Sequence, residues 1–311
     1  MGATAAVALA LALAGCSGGA ASPGPGPVTS SATPPPPSGP YAALGDSYTA
    51  GLKIAPQVGE PRGCARSGAN YPSLVAKELG LAEADFRDVS CSAARTVDLT
   101  GAQKTDGGQN PPQLDALSEA TRLVTLGIGG NDAGFMEVIG ECARDNLVKA
   151  VVGAVTERAP GGAPCRDHYM SGGSDQLRGR MDAAGERLGG LLREIRRRAP
   201  QARVYLVGYP SLLPADPAAC APVLGKVVTA GDLGFLTEKE RELNAMLKRQ
   251  AEAAGAGFVD TAAPSAGHDM CADEASRWIE PPFPAPGLAP VHPNARGQQG
   301  VAAAVLKAVR G

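Results

Sequence analysis

Aromatic side chains are scarce in this chain: they make up 4% of its 311 residues, and Trp occurs once. Any core must therefore be aliphatic, and the 44% hydrophobic content is enough for one large domain or two small ones. Neither sign of charge dominates. The formal net charge is −2 and no basic stripe occurs, which excludes the usual electrostatic footprint of a nucleic-acid binder. The one cationic run, Arg196-Arg197-Arg198, reads as a solvated helix end. No CxxC pair occurs, which argues against zinc or redox use of cysteine, and neither a metal nor another cofactor is expected. GxSxG is missing too, because Thr49 follows Ser47 where a second Gly would stand; the nucleophile elbow of the α/β-hydrolase fold is thereby excluded.

Among what is present, the N-terminus sets the compartment. Gly2 to Ala14 is a small, apolar stretch too short to span a bilayer, and it reads as the apolar region of an export signal, although no Lys or Arg precedes it. Leu13-Ala14-Gly15-Cys16 resembles a bacterial lipobox, which makes Cys16 the expected lipidation site and residues 1–16 a lipoprotein-type signal peptide. Residues 17–40 are Ser, Gly, Ala, Thr and Pro with a four-proline run at Pro34 to Pro37, the composition of a disordered tether. The folded domain is expected over 41–311, outside the cytoplasm, as a monomer that meets a membrane through its N-terminal anchor.

Cysteine use agrees with export. Without Cys16, six of the seven cysteines remain, an even number suited to an oxidising compartment. Many connectivities are open. The sequential pairing Cys64–Cys91, Cys142–Cys165 and Cys220–Cys271 is expected because each pair encloses a short local segment, and each closure would contribute about 3 kcal/mol in the chain-entropy model.

Along the domain, strand and helix patterns alternate. Tyr41 to Leu44, Phe86 to Cys91, Leu123 to Ile128, Arg203 to Val207 and Gly257 to Asp260 read as strands. Tyr71 to Leu79 reads as a helix, as does the set Leu177, Met181, Leu188, Leu191, Leu192 and Ile195 before Pro200. Thr237-Glu238-Lys239-Glu240 reads as a capping box opening a further helix, and Asn294 as the cap of the last one. Such alternation implies parallel βαβ units in a three-layer sandwich. The connections from Phe135 to Ser174 and from Tyr209 to Phe235 are too long for simple crossovers and read as cysteine-stapled insertions around a site.

Three segments carry chemistry. Ser47, in Gly45-Asp46-Ser47-Tyr48, follows the first strand at the sheet edge where open α/β folds bind ligands. Asn131, in Gly129-Gly130-Asn131-Asp132, follows the third; its amide can donate to a developing oxyanion, and Gly130 keeps the approach open. His292, in His292-Pro293-Asn294, supplies a base whose pKa suits neutral hydrolysis. The other two histidines, His168 and His268, read as structural or solvated.

These segments, in this order, resemble the SGNH (GDSL-type) hydrolases, and among them the actinobacterial extracellular esterases and lipases with three disulfides. The resemblance spans about residues 41 to 311. It implies a flavodoxin-like three-layer α/β/α sandwich around a five-stranded parallel sheet, and a secreted or lipid-anchored serine esterase or lipase acting on carboxylic esters, lipids among them. It implies Ser47 as nucleophile, His292 as base, and an oxyanion hole made of the Ser47 N–H, the Ala93 N–H and the Asn131 amide. Ala93 stands in Cys91-Ser92-Ala93-Ala94, where the family normally has Gly. The family also often has Asp three residues before the His, and here that residue is Ala289. A Ser-His dyad is therefore expected, with a carbonyl near Ala289 accepting from Nδ1–H of His292; Asp269 or Glu280 reaching the ring is the alternative. A carbohydrate-deacetylating esterase, or a non-catalytic binding lipoprotein on the same scaffold, are the rival readings.

Overall fold

The computed structural model describes residues 38–144, 162–225 and 228–311. The leader, the lipobox with Cys16 and the tether up to residue 37 lie outside the described residues.

Five strands form one parallel sheet: β1 (Tyr41–Gly45), β2 (Phe86–Asp88), β3 (Leu123–Gly127), β4 (Arg203–Val207) and β5 (Gly257–Val259). Their spatial order is β2-β1-β3-β4-β5, all parallel. The chain moves outward from β1 to β2, then returns across β1 to place β3 on its other side. The switch point between β1 and β3 is where such sheets open a crevice at their carboxyl ends.

β1 and β3 are buried on both faces, and the strands' period of two divides the core. Leu44, Val124, Leu126, Val204 and Leu206 pack with the apolar stripes of α2 (Gln176–Arg198) and α3 (Ala230–Ala253). Tyr41, Ala43, Leu123, Val207 and Val259 pack with α1 (Tyr71–Glu78) and α4 (Ala295–Arg310) on the other face. Two helices on each face of a parallel sheet is the three-layer sandwich that the alternation implies. Asn294 caps α4, accepting from the N–H groups of Arg296 and Gly297 at 3.0 and 3.1 Å. Arg196 to Arg198 form the last turn of α2.

One helix boundary differs from expectation. The Thr237–Glu240 capping box does not open α3: the helix begins at Ala230 behind Thr229, and Thr237 turns its hydroxyl back to the Leu233 carbonyl at 2.9 Å. Gly231 and Gly234 make the first turns look like loop, yet Thr229 satisfies the N–H of Asp232 at 3.3 Å, and burial of Leu233, Phe235 and Leu236 outweighs the low helix propensity of glycine. The second insertion is correspondingly shorter. The first contains helical residues 135–144 and a short helix, Pro164–Tyr169.

Disulfides join Cys64 to Cys91, Cys142 to Cys165 and Cys220 to Cys271. Cys64–Cys91 fastens the stretch behind β2 to the loop before α1, where the Ser92 N–H also donates to the Cys64 carbonyl at 3.0 Å. Cys142–Cys165 ties helical residues 135–144 to the Pro164–Tyr169 helix, and Cys220–Cys271 ties the segment after β4 to the stretch leading toward His292.

Candidate active site

Ser47 begins a single helical turn, Ser47–Ala50, immediately behind β1. Asp46 caps the turn, accepting from the Tyr48 N–H at 3.0 Å. Gly45 before it lies at φ 151°, and a Cβ there would sit 2.5 Å from the Gly127 carbonyl oxygen of β3 and 2.3 Å from the Thr49 hydroxyl. Glycine therefore lets β1 and β3 close together just below the serine.

His292 stands at the end of a long connection, and a ring of local bonds holds it. The Val291 N–H donates to the Glu280 carbonyl and the Glu280 N–H donates to the His292 carbonyl, both at 3.0 Å. The Tyr48 hydroxyl donates to the Val291 carbonyl at 2.5 Å, and the Tyr48 ring lies 4.9 Å from the imidazole, centre to centre. Val291 itself sits at φ 57°, a rare conformation for a β-branched residue. That reversal turns the Pro290 carbonyl back onto the ring two residues ahead, so that Nδ1–H of His292 donates to it at 2.7 Å. Nε2 is left as the acceptor, 2.8 Å from the Ser47 hydroxyl.

The acceptor of Nδ1–H is thus Pro290, one residue beyond the Ala289 position from which a carboxylate would reach. Neither carboxylate alternative hydrogen-bonds the ring. Asp269 accepts from the Cys271 N–H at 2.9 Å, and Glu280 is engaged by Arg277 at 2.9 Å and by the Asn294 amide at 2.8 Å. His268 stacks on Trp278 with ring centres 4.9 Å apart, and His168 is exposed against Tyr169.

Asn131 lies in a short turn behind β3 (Gly130–Ala133) that Gly129 enters at φ 116°. One hydrogen of its amide is spent on the Ala94 carbonyl at 2.8 Å, which links the turn to the Cys91–Ala94 loop and leaves the other hydrogen free to donate. Ala93 occupies the left-handed region at φ 63°, the conformation that glycine adopts more easily, and its N–H makes no hydrogen bond to the described residues. Asp132 clamps the same two loops: it accepts from the Thr96 N–H at 2.9 Å and the Thr96 hydroxyl at 2.5 Å, and pairs with Arg187 at 3.1 Å.

A further bridge escaped the sequence. Tyr209, behind β4, donates its hydroxyl to Asp46 at 2.6 Å and accepts from the Gly130 N–H at 2.8 Å. It thereby spans the serine turn and the asparagine turn. Asp46 had a readable signal, because acidic residues favour the N-cap position; Tyr209 had none, being 163 residues away. Burial pushes the Asp46 carboxyl up to about 7, against the opposing pull of the Tyr209 hydroxyl and the Tyr48 N–H.

Burial lowers the pKa of His292, the Pro290 carbonyl opposes that shift, and Lys53 adds to it. A lowered pKa keeps the imidazole neutral, and able to accept a proton, to lower pH. The acid limb of kcat/KM for an ester substrate is therefore expected to lie below about 6.5, the ordinary histidine value. A limb at or above that value in a pH–rate profile would contradict this environment for the ring.

Beside Ser47 and Asn131 lies a narrow pocket walled by Phe135, Met136, Leu212 and Leu243 together with Tyr209 and Glu240. Chemically the arrangement can activate a hydroxyl with a neutral imidazole, meet negative charge with N–H donors, and offer apolar side chains beside them. Among the described residues, no group of three or more His, Cys, Asp or Glu side chains is gathered as a metal site.

Comparison with known proteins agrees with this chemistry. A "Lipase 2" of Streptomyces coelicolor is 39% identical over 265 residues, covering 84% of this chain and 83% of its own length. An "Esterase" of Streptomyces scabiei is 33% identical over 261 residues, covering 77% and 74%. Among solved structures, a phospholipase A1 from Streptomyces albidoflavus superposes with a TM-score of 0.68 at 26% identity, over 88% of this chain and 100% of its own. An extracellular lipase from Streptomyces rimosus gives 0.67 at 26% identity, over 87% and 99%. Residues 43–299 match the GDSL-like Lipase/Acylhydrolase family, and with its five-stranded parallel sheet this chain belongs to that family of lipases and esterases.

Proposed function

We propose that this lipase/esterase works outside the cytoplasm, held by a lipid on Cys16, and cleaves acyl esters through a Ser47–His292 dyad. One observation carries the mechanism: the Ser47 hydroxyl lies 2.8 Å from an imidazole nitrogen whose opposite N–H is taken by the Pro290 carbonyl. His292 removes the proton as Ser47 attacks the acyl carbon. The Ser47 N–H, the Ala93 N–H and the free Asn131 amide hydrogen receive the oxyanion. His292 then protonates the departing alcohol, and water, activated by the same ring, hydrolyses the acyl-enzyme. A carbonyl fixes the tautomer as a carboxylate would, but stabilises the imidazolium less.

The apolar lining of Phe135, Met136, Leu212 and Leu243 favours an acyl chain over a sugar, so lipid esters are the proposed substrates and carbohydrate deacetylation is not. A series of p-nitrophenyl esters from acetate to palmitate tests this. Turnover is expected to rise from acetate to medium or longer chains, with Ser47 labelled by an organophosphonate. Activity on acetate alone would favour deacetylation, and a protein with neither turnover nor labelling would be a binding scaffold. Mass spectrometry of the mature N-terminus tests the anchor: diacylglyceryl on Cys16 is expected, and an unmodified start beyond it would remove the anchor.

A further inference from the structure

The pocket beside Ser47 holds one carboxyl group that neither the dyad nor the Asp46–Tyr209 bridge uses. Glu240 projects into it from α3 and is 5% exposed. Its Oε1 accepts from the Leu212 N–H at 2.9 Å. Its Oε2 is buried and has no hydrogen-bond partner among the described residues. The Leu213 N–H also lies close enough to the same carboxyl to favour its charged form. Holding the Leu212 backbone needs only one oxygen, so that duty leaves Oε2 unexplained. A buried polar atom without a partner costs free energy, and here it belongs to a residue that lines the pocket beside Ser47.

The surroundings favour the neutral form of the carboxyl at that position. Phe135, Met136, Leu212 and Leu243 supply no charge. Asp46, Tyr48 and Tyr209 share the pocket and Asp269 adds a like charge from the segment before Cys271, while the Leu212 and Leu213 N–H groups and Arg241, on the same helix, oppose the shift. Burial is the largest influence and pushes the Glu240 carboxyl up to about 8. Near neutral pH the group is therefore protonated. Because Oε1 already accepts an N–H, the proton falls to Oε2, a donor with no acceptor among the described residues.

We propose that Glu240 is a specificity-determining residue: its neutral carboxyl donates Oε2–H to an oxygen of the substrate, so the site selects esters bearing a second oxygen near the scissile bond. Ether, hydroxyl and neighbouring ester oxygens share this chemistry, and polyol esters such as acylglycerols possess it. The inference deepens the acyl-ester reading above and rests on it. It adds that a purely hydrocarbon ester leaves Oε2–H unpaired in the complex, whereas an oxygenated one satisfies it.

The test compares chain-matched pairs on the full protein. On the acyl side, p-nitrophenyl hexanoate is set against its analogue with one methylene replaced by oxygen. On the alcohol side, an n-butyl ester is set against the 2-methoxyethyl ester of the same acid. Each kcat/KM ratio is divided by the ratio for hydroxide-catalysed hydrolysis, which removes intrinsic reactivity. At about pH 6 the wild type is expected to prefer the oxygenated member by about five- to tenfold in one arm, and the arm identifies the side on which the oxygen lies. Glu240→Leu should abolish the preference, and Glu240→Gln should keep it because the amide still donates. As pH rises through about 8 the wild-type preference should fall with loss of the proton, while that of Glu240→Gln stays level. A ratio near one in both arms, or an unchanged ratio in Glu240→Leu, would overturn the proposal. Should Glu240→Leu fail to fold, a pH-independent wild-type ratio would do the same. Absence of turnover on every ester would instead strike the underlying acyl-ester reading.

Discussion

Ser47→Ala and His292→Ala are each expected to lower kcat for a p-nitrophenyl ester by about 10⁴-fold or more, and the double variant by no more than the worse of the two. The non-additivity is the informative part. The Ser47 hydroxyl and Nε2 of His292 are 2.8 Å apart, and each is useful to nucleophilic attack only through the other. Removing the base leaves a hydroxyl with no acceptor for its proton; removing the nucleophile leaves a base with nothing to activate. What survives should be the small contribution of binding and of the oxyanion donors. Neither change should unfold the protein, since both side chains lie at the sheet edge rather than in either core layer. The measurement is steady-state kinetics of both single variants and the double, with thermal unfolding as the control. Losses that multiply, or a single variant retaining more than about a tenth of the rate, would dismantle the dyad.

Asn131→Ala should lower kcat by about a hundredfold or more, corresponding to about 3 kcal/mol of transition-state stabilisation, with KM changed far less. The split follows from geometry. One amide hydrogen of Asn131 is permanently engaged by the Ala94 carbonyl at 2.8 Å, which orients the other. A donor fixed in this way costs no reorganisation when charge develops on the substrate oxygen. The truncation also removes the tie to the Cys91–Ala94 loop, but Asp132 still grips Thr96 at 2.9 Å and Cys64–Cys91 still anchors the loop. A loss below about threefold would take Asn131 out of the oxyanion hole.

The central strands were the legible part of the fold. Tyr41 to Leu44, Leu123 to Ile128 and Arg203 to Val207 are short apolar runs, and a strand covered on both faces has no other way to read. Edge strands were less legible: β2 is half-exposed and stops at Asp88, where the sequence alone continues to Cys91. The start of α3 was misread because local capping at Thr237 is a real preference that tertiary burial of the preceding turns overrides. Ser47, Asn131 and His292 could be picked out because each sits in a short motif whose meaning is local. Tyr209 and Glu240 could not, since nothing in their neighbourhoods announces a partner 163 residues away or a carboxyl lining the pocket, and the acceptor expected near Ala289 is the Pro290 carbonyl because Val291 turns the chain at φ 57°.

By itself, then, the amino-acid sequence determined the sandwich and the residue types available for ester chemistry, because hydrophobic period and motif spacing are properties of neighbours along the chain. The tertiary structure alone decided how those residues are tuned. The tautomer of His292, the bridge from Asp46 through Tyr209 to Gly130, and the raised pKa of the Glu240 carboxyl all depend on burial and on contacts between distant segments. Burial and distance arise only once the sheet has closed and brought the ends of β1, β3 and β4 together, which is why no local pattern encodes them.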